Sequence, residues 1–160
     1  MEVNTTRCKE CKGEMKLGTL AALAGEERGV RVRIEGMPAM QCAQGHKRFV
    51  APDFAIRLMN ALLADKQLDA PDAAKEKGLL RKRACCPKCG QELGEAGAGS
   101  VQARRQLALP GLDAFGVDVE LPKLRCASCG GESIPPQKTV VDGLMKATSS
   151  AFRSAQISPI

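Results

Sequence analysis

Val30-Arg31-Val32-Arg33-Ile34 alternates apolar and polar residues with a period of two, the mark of a strand with one buried and one solvent face. Met15 to Leu23 reads as an earlier strand, and Ala24-Gly25-Glu26-Glu27-Arg28-Gly29 as the turn between them. Gly36-Met37-Pro38 ends the alternation. The period then changes, for Phe54, Leu58, Met59, Leu62 and Leu63 fall on one helical face, with Asp53 placed as N-cap. That face is expected to pack on the hairpin preceding it.

The second half repeats this order. Val117, Val119 and Leu121 restore the alternation, and Leu144-Met145-Lys146-Ala147 answers Leu58-Met59-Asn60-Ala61, with Val140 in the place of Phe54. A duplication explains both runs. Between them the composition turns charged and alanine-rich, with Pro71-Asp72 as a helix start. Gly94 to Gly99 is expected to form a mobile hairpin tip, and the residues after Ala151 a frayed tail. The expected organisation is a first unit over 1–66, a charged connector with helical character over 67–84, a second unit over 85–150 and a tail over 151–160.

Cysteine spacing gives these units their chemistry. Cys86-Pro87-Lys88-Cys89 is followed after 36 residues by Cys126-Ala127-Ser128-Cys129, and Cys8-Lys9-Glu10-Cys11 after 30 residues by Cys42-Ala43-Gln44-Gly45-His46. Each tight turn aims two ligands at one point, and a spacer of hairpin length returns the second turn to the first. The fold expected is small α+β and metal-stabilised: two tandem zinc ribbons, each an antiparallel hairpin with paired knuckles followed by a helix. Cys8, Cys11, Cys42 and His46 would hold one structural zinc ion and Cys86, Cys89, Cys126 and Cys129 another. Pro38 and Pro122 each stand four residues before the third cysteine of their set. Cys85 has no counterpart in the first half and is left outside both sets.

Composition agrees with a metal-dependent fold. Halves of a 160-residue chain with four Phe, no Tyr and no Trp have little with which to build separate cores. Structural zinc adds about 10–16 kcal/mol of apparent binding free energy in finger peptides, which becomes folding free energy. Four disulfides are the alternative for eight cysteines, but charges at Glu2, Arg7, Lys9 and Glu10 interrupt the start and no apolar signal region follows. A cytoplasmic chain with reduced thiols is therefore expected. No apolar run approaches the roughly eighteen residues of a membrane span, so no membrane partner is expected.

The net charge of +6 is uneven: residues 71–90 hold six Lys and Arg against two Asp and Glu, whereas residues 91–160 hold seven of each. Two filled sites of net −2 and −1 would bring the total from +6 to +3, weakening a case for nucleic acid based on charge alone. The single histidine excludes a Ser/His/Asp constellation that leaves the first metal set intact, and no glycine-rich phosphate loop follows a strand. The chain is therefore read as no enzyme, with no small-molecule substrate.

The knuckles together with Gly36-Met37-Pro38-Ala39-Met40-Gln41-Cys42, and more loosely Leu121-Pro122-Lys123-Leu124-Arg125-Cys126, resemble the YgiT-type zinc-finger family. The resemblance implies a structural zinc domain that serves as a surface for a protein partner, as in the N-terminal domain of MqsA-like antitoxins. The first set departs from the family in ending with CxxxH, and a second ribbon stands where such antitoxins carry a helix-turn-helix domain. The function expected is a non-catalytic macromolecular binding module, with protein as partner. One alternative is a DNA- or RNA-associated regulator using Arg31, Arg33, Arg81, Lys82, Arg83, Arg104 and Arg105 as one basic stripe, although aromatic platforms for stacking bases are scarce. The other is a redox-sensitive zinc protein in which Cys85 takes part.

Overall fold

The computed structural model describes residues 7–64, 72–94 and 99–158. In chain order its elements are β1 (Met15–Thr19), β2 (Leu23–Glu27), β3 (Val30–Glu35), β4 (Pro38–Cys42), β5 (Lys47–Arg48), α1 (Phe54–Ala64), β6 (Lys75–Lys77), β7 (Arg83–Cys85), β8 (Ser100–Leu107), β9 (Phe115–Pro122), β10 (Leu124–Arg125), β11 (Glu132–Ser133), α2 (Gln137–Ser154) and β12 (Ile157–Ser158). The α+β class and the two helices of the duplicated pattern are present.

The hairpins of the two halves pair with each other. Their sheet has the order β2-β3-β9-β8, with β3 antiparallel to β9 and Val32 opposite Val119. Antiparallel pairing of corresponding strands is what a local twofold relation between two copies produces. Alternation does the rest: Val30, Val32 and Ile34 from the first half and Phe115, Val117, Val119 and Leu121 from the second are buried on one face.

The helices also reach across: α1, expected to pack on its own hairpin, contacts both halves, and α2 packs on the hairpin of the first half. α2 lies on β2 and β3. Two glycines permit its close approach: a Cβ on Gly25 would stand 2.0 Å from the Ala147 carbonyl oxygen, and one on Gly143 would stand 2.7 Å from Val30 Cγ2. α1 meets the second hairpin through Phe54, whose ring centroid is 6.1 Å from that of Phe115, and through Arg105, which donates to the Leu62 carbonyl at 3.2 Å. All four phenylalanines are linked, because Phe49 stacks on Phe54 at 5.7 Å and meets Phe152 edge-on at 4.8 Å. Neither half has aromatics enough for its own core, and pooling them forms one cluster that runs through both.

Four local expectations are corrected. Arg28 and Gly29, with φ of 49° and 82°, form a two-residue turn, so residues 24–27, expected in a longer turn, are strand. The second hairpin turns at residues 108–114, between Leu107 and Phe115; Gly94 and Gly99 precede it, and 95–98 lie outside the described residues. The connector is not helical where it is described: β6 and β7 pair as a hairpin, tied at its base by Ala74 N–H donating to the Ile134 carbonyl at 2.8 Å. The start proposed at Pro71 lies outside the described residues. Residues 151–157 are no frayed tail, since Ala151, Phe152 and Ile157 are buried and β12 pairs parallel with β5. The aromatic contact of Phe152 and this strand pairing hold the segment down.

Candidate metal centres

The eight ligand candidates converge as two groups of four, Cys8-Cys11-Cys42-His46 and Cys86-Cys89-Cys126-Cys129, with the ligand atoms of each group within 4.8 Å of one another. The first set hangs on the sheet β1-β4-β5-β12, and β4 delivers Cys42 at its last position. The second is framed by the short pair β10-β11 and by the turn after β7.

Three of the four knuckles share one backbone plan. The first cysteine's N–H donates to the carbonyl five residues on, and its own carbonyl accepts from the N–H four residues on: Cys8 with Gly13 and Lys12, Cys86 with Gln91 and Gly90, Cys126 with Gly131 and Gly130. The residue four positions on is left-handed in each, with φ of 62° at Lys12, 80° at Gly90 and 71° at Gly130. The knuckle of Cys42 is one residue tighter. Gly45, at φ 87°, is already left-handed three positions on, and Cys42 N–H donates to the His46 carbonyl at 3.1 Å. A ligand at that third position is thereby lost, and the longer imidazole reaches back from the fourth.

The distances suit a small tetrahedral ion. Metal–sulfur bonds of about 2.3 Å give a tetrahedron with S···S edges of about 3.8 Å. Cys11 and Cys42 sulfurs stand 3.7 Å apart, Cys86 and Cys129 3.6 Å, and Cys89 and Cys126 3.4 Å. His46 Nδ1 lies 3.5 Å from Cys8 Sγ and 3.4 Å from Cys42 Sγ. The other ring nitrogen, Nε2, is 3.0 Å from Glu10 Oε2. A carboxylate on the far nitrogen fixes the tautomer that leaves Nδ1 free to ligate. Glu10 is the functional residue that spacing did not single out; its place inside the Cys8–Cys11 turn was the only signal.

Electrostatics point the same way. Backbone N–H groups of Cys89 and Lys88 bring Cys86 down to about 6. At Cys42 burial is the largest influence and acts upward, yet N–H groups of His46 and Gln44 bring it down to about 6. Cys89 goes the other way: the Gln91 N–H lowers it, but the Cys126 thiol, burial and the remaining thiols push it up to about 12. Four thiolates cannot share so small a space without a cation. Both groups are therefore compatible with structural metal ions, each supplied with four protein ligands.

Cys85 is buried, its thiol 3.8 Å from the Arg83 carbonyl. The basic residues fall into separate places. Arg31, Arg33 and Arg104 lie on the solvent face of the central sheet, where Arg31 pairs with Glu26 and Glu120, Arg33 with Glu35, and Arg104 with Asp118 through two bonds of 2.8 and 3.2 Å. The Arg104 guanidinium holds Asp118 below the usual carboxylate range. Arg105 reaches α1, whereas Arg81, Lys82 and Arg83 belong to the β6–β7 hairpin. No family model, curated protein or solved structure matches this chain.

Proposed function

We propose that the chain is a non-catalytic double zinc-ribbon protein that acts as a macromolecular binding module for a protein partner, in a regulatory, antitoxin-like role as its resemblance to YgiT-type domains implies. Zinc suits a tetrahedral set of four thiolates and one of three thiolates with an imidazole. With four protein ligands in each group there is no open position for water activation, which supports a structural role for both ions.

The observation that carries the choice of partner is the outer face of the fused central sheet. Arg31, Arg33 and Arg104 lie there among Glu26, Glu35, Asp118 and Glu120, three cations against four acids, around a groove of about 810 Å³. A polyanion is attracted by an excess of cations, whereas a balanced mosaic gives the directional polar contacts that set register between proteins. That pairing weighs against one continuous stripe through Arg31, Arg33 and Arg104, and the burial of Cys85 weighs against its part in a redox response.

The test combines metal analysis with co-purification from the native host. Two zinc ions per chain are expected, together with a retained protein that survives nuclease treatment and is lost from an Arg33→Glu/Arg104→Glu variant. Salt-sensitive retention on nucleic acid, unaffected by that variant and abolished by nuclease, would overturn the choice of partner. One zinc per chain would overturn the assignment of the first set.

A further inference from the structure

Leu79 and Leu80 stand at the tip of the β6–β7 hairpin, 102% and 103% exposed, as accessible as in an isolated extended chain. The turn beneath them is sterically defined: Gly78 has φ +120°, and a Cβ there would stand 2.2 Å from the Arg81 carbonyl oxygen. Behind the tip, Lys75 and Lys77 on one strand and Arg81, Lys82 and Arg83 on the returning segment are all exposed, against Glu76 as the one acid of residues 75–83. Glu76 faces Lys82 at 3.7 Å and Glu92 faces Arg83 at 3.2 Å, both ion pairs open to solvent and therefore weak. The base of the hairpin is anchored in the body, with Ala74 buried among Cys86, Leu93, Leu124 and Cys126 of the second metal centre. The result is a protruding finger layered as apolar tip, cationic collar and rigid root.

We propose that this finger docks the protein peripherally on an anionic lipid bilayer, the leucines entering the headgroup–acyl boundary and the collar meeting lipid phosphates. The layering matches that of a membrane surface, where hydrocarbon lies beneath negative charge. Nucleic acid offers the negative charge without an apolar layer for the leucines. No helix among the described residues is long and apolar enough to cross a membrane, and a surface contact requires none. The expectation of no membrane partner rested on the lack of a span and did not address such a contact. This proposal is independent of the protein-binding reading above.

The test uses the zinc-loaded full chain and vesicles of phosphatidylglycerol and phosphatidylcholine in equal parts, compared with phosphatidylcholine alone. Sedimentation with the anionic vesicles at low salt, reversed by high salt, is expected, with little on the neutral ones. Leu79→Ser/Leu80→Ser is expected to lower that affinity at least about tenfold, and each collar residue changed to Gln about fivefold. Both leucines are free of the core, so the double serine variant is expected to keep the metal content and circular dichroism of the wild type. The chain has no tryptophan, so Leu79→Trp supplies a single fluorophore whose emission shifts to the blue on anionic vesicles only. Failure of the wild-type protein to bind anionic vesicles at low salt, or binding unchanged by the double serine variant, would overturn the proposal. So would a Leu79→Trp emission that shifts with double-stranded DNA or an acidic protein and not with vesicles.

Discussion

Gly25→Ala tests the exchange of helices between the halves. The added Cβ would lie 2.0 Å from the Ala147 carbonyl oxygen and 2.6 Å from the Ala151 backbone nitrogen, against an ordinary contact of 3.4 Å or more. These are backbone atoms of a regular helix, so no rotamer change relieves the clash, and α2 must withdraw from β2 by about 1.4 Å, the difference of those two distances. A gap of 0.5–1 Å already forfeits about a quarter to a half of a packing contact, and Leu144, Ala147 and Ala151 all lie at this interface. Overpacking costs about 1–3 kcal/mol, and the upper end applies where backbone is struck. The gain of about 0.4–1 kcal/mol from a less flexible unfolded chain offsets part of this. A net loss of about 2–2.6 kcal/mol is expected, equivalent to roughly 4–10 °C in Tm for a chain of this size. The assay is denaturant unfolding at fixed free zinc. Gly94→Ala serves as control, because its Cβ would meet nothing within 4 Å. A Gly25→Ala protein within about 0.5 kcal/mol of wild type would refute the crossed-helix packing.

The metal centres yield the remaining predictions. On the proposed zinc assignment, chelation is expected to abolish most native circular dichroism, since structural zinc contributes about 10–16 kcal/mol of apparent binding free energy in finger peptides; a metal-free protein with an unchanged spectrum would contradict this. Glu10→Gln removes the carboxylate from His46 Nε2, 3.0 Å away, and is expected to weaken the first site about 10–100-fold in chelator competition while leaving the second untouched. Lys12 occupies with φ 62° the left-handed position that Gly90 and Gly130 hold in the second half, so Lys12→Gly should stabilise the protein and Gly130→Ala destabilise it, each by about 1 kcal/mol in thermal melts. At the second site, metal must displace the proton of Cys89, which lies at about 12, throughout the neutral range. Zinc affinity there, and the stability it confers, is therefore expected to rise with pH and to be lost as pH falls, as a pH series of chelator titrations would show.

The duplication has a structural meaning that two independent ribbons would lack. Each hairpin alone has one apolar face and a free edge; pairing β3 with β9 joins both edges at once, with α2 covering β2 and β3 and α1 reaching the second hairpin through Phe54 and Arg105. The four phenylalanines are too few for two cores and sufficient for one. Glu10, Gly25 and Gly143 acquire their roles only in this arrangement, because the atoms they approach lie 36, about 122 and 113 residues away in the chain: His46, Ala147 and Val30.

Cysteine spacing, strand alternation and helical periodicity are local properties, and they alone were enough to place the two ligand groups, the valine-rich strands and the two helices. A CxxC turn forms its backbone bonds within six residues, and a period-two strand declares its buried face wherever it packs. What those patterns do not contain is the identity of the surface each face meets. Tertiary structure decided that the two hairpins share one sheet, that α2 covers the hairpin of the opposite half, and that residues 151–157 are held by Phe49 and β5. It also decided that Arg31 of β3 and Arg104 of β8 are matched by acids on neighbouring strands, since cross-strand register determines which charges meet. Those outcomes depend on pairing between segments far apart in the chain, and the free energy that selects them comes from one pooled apolar core.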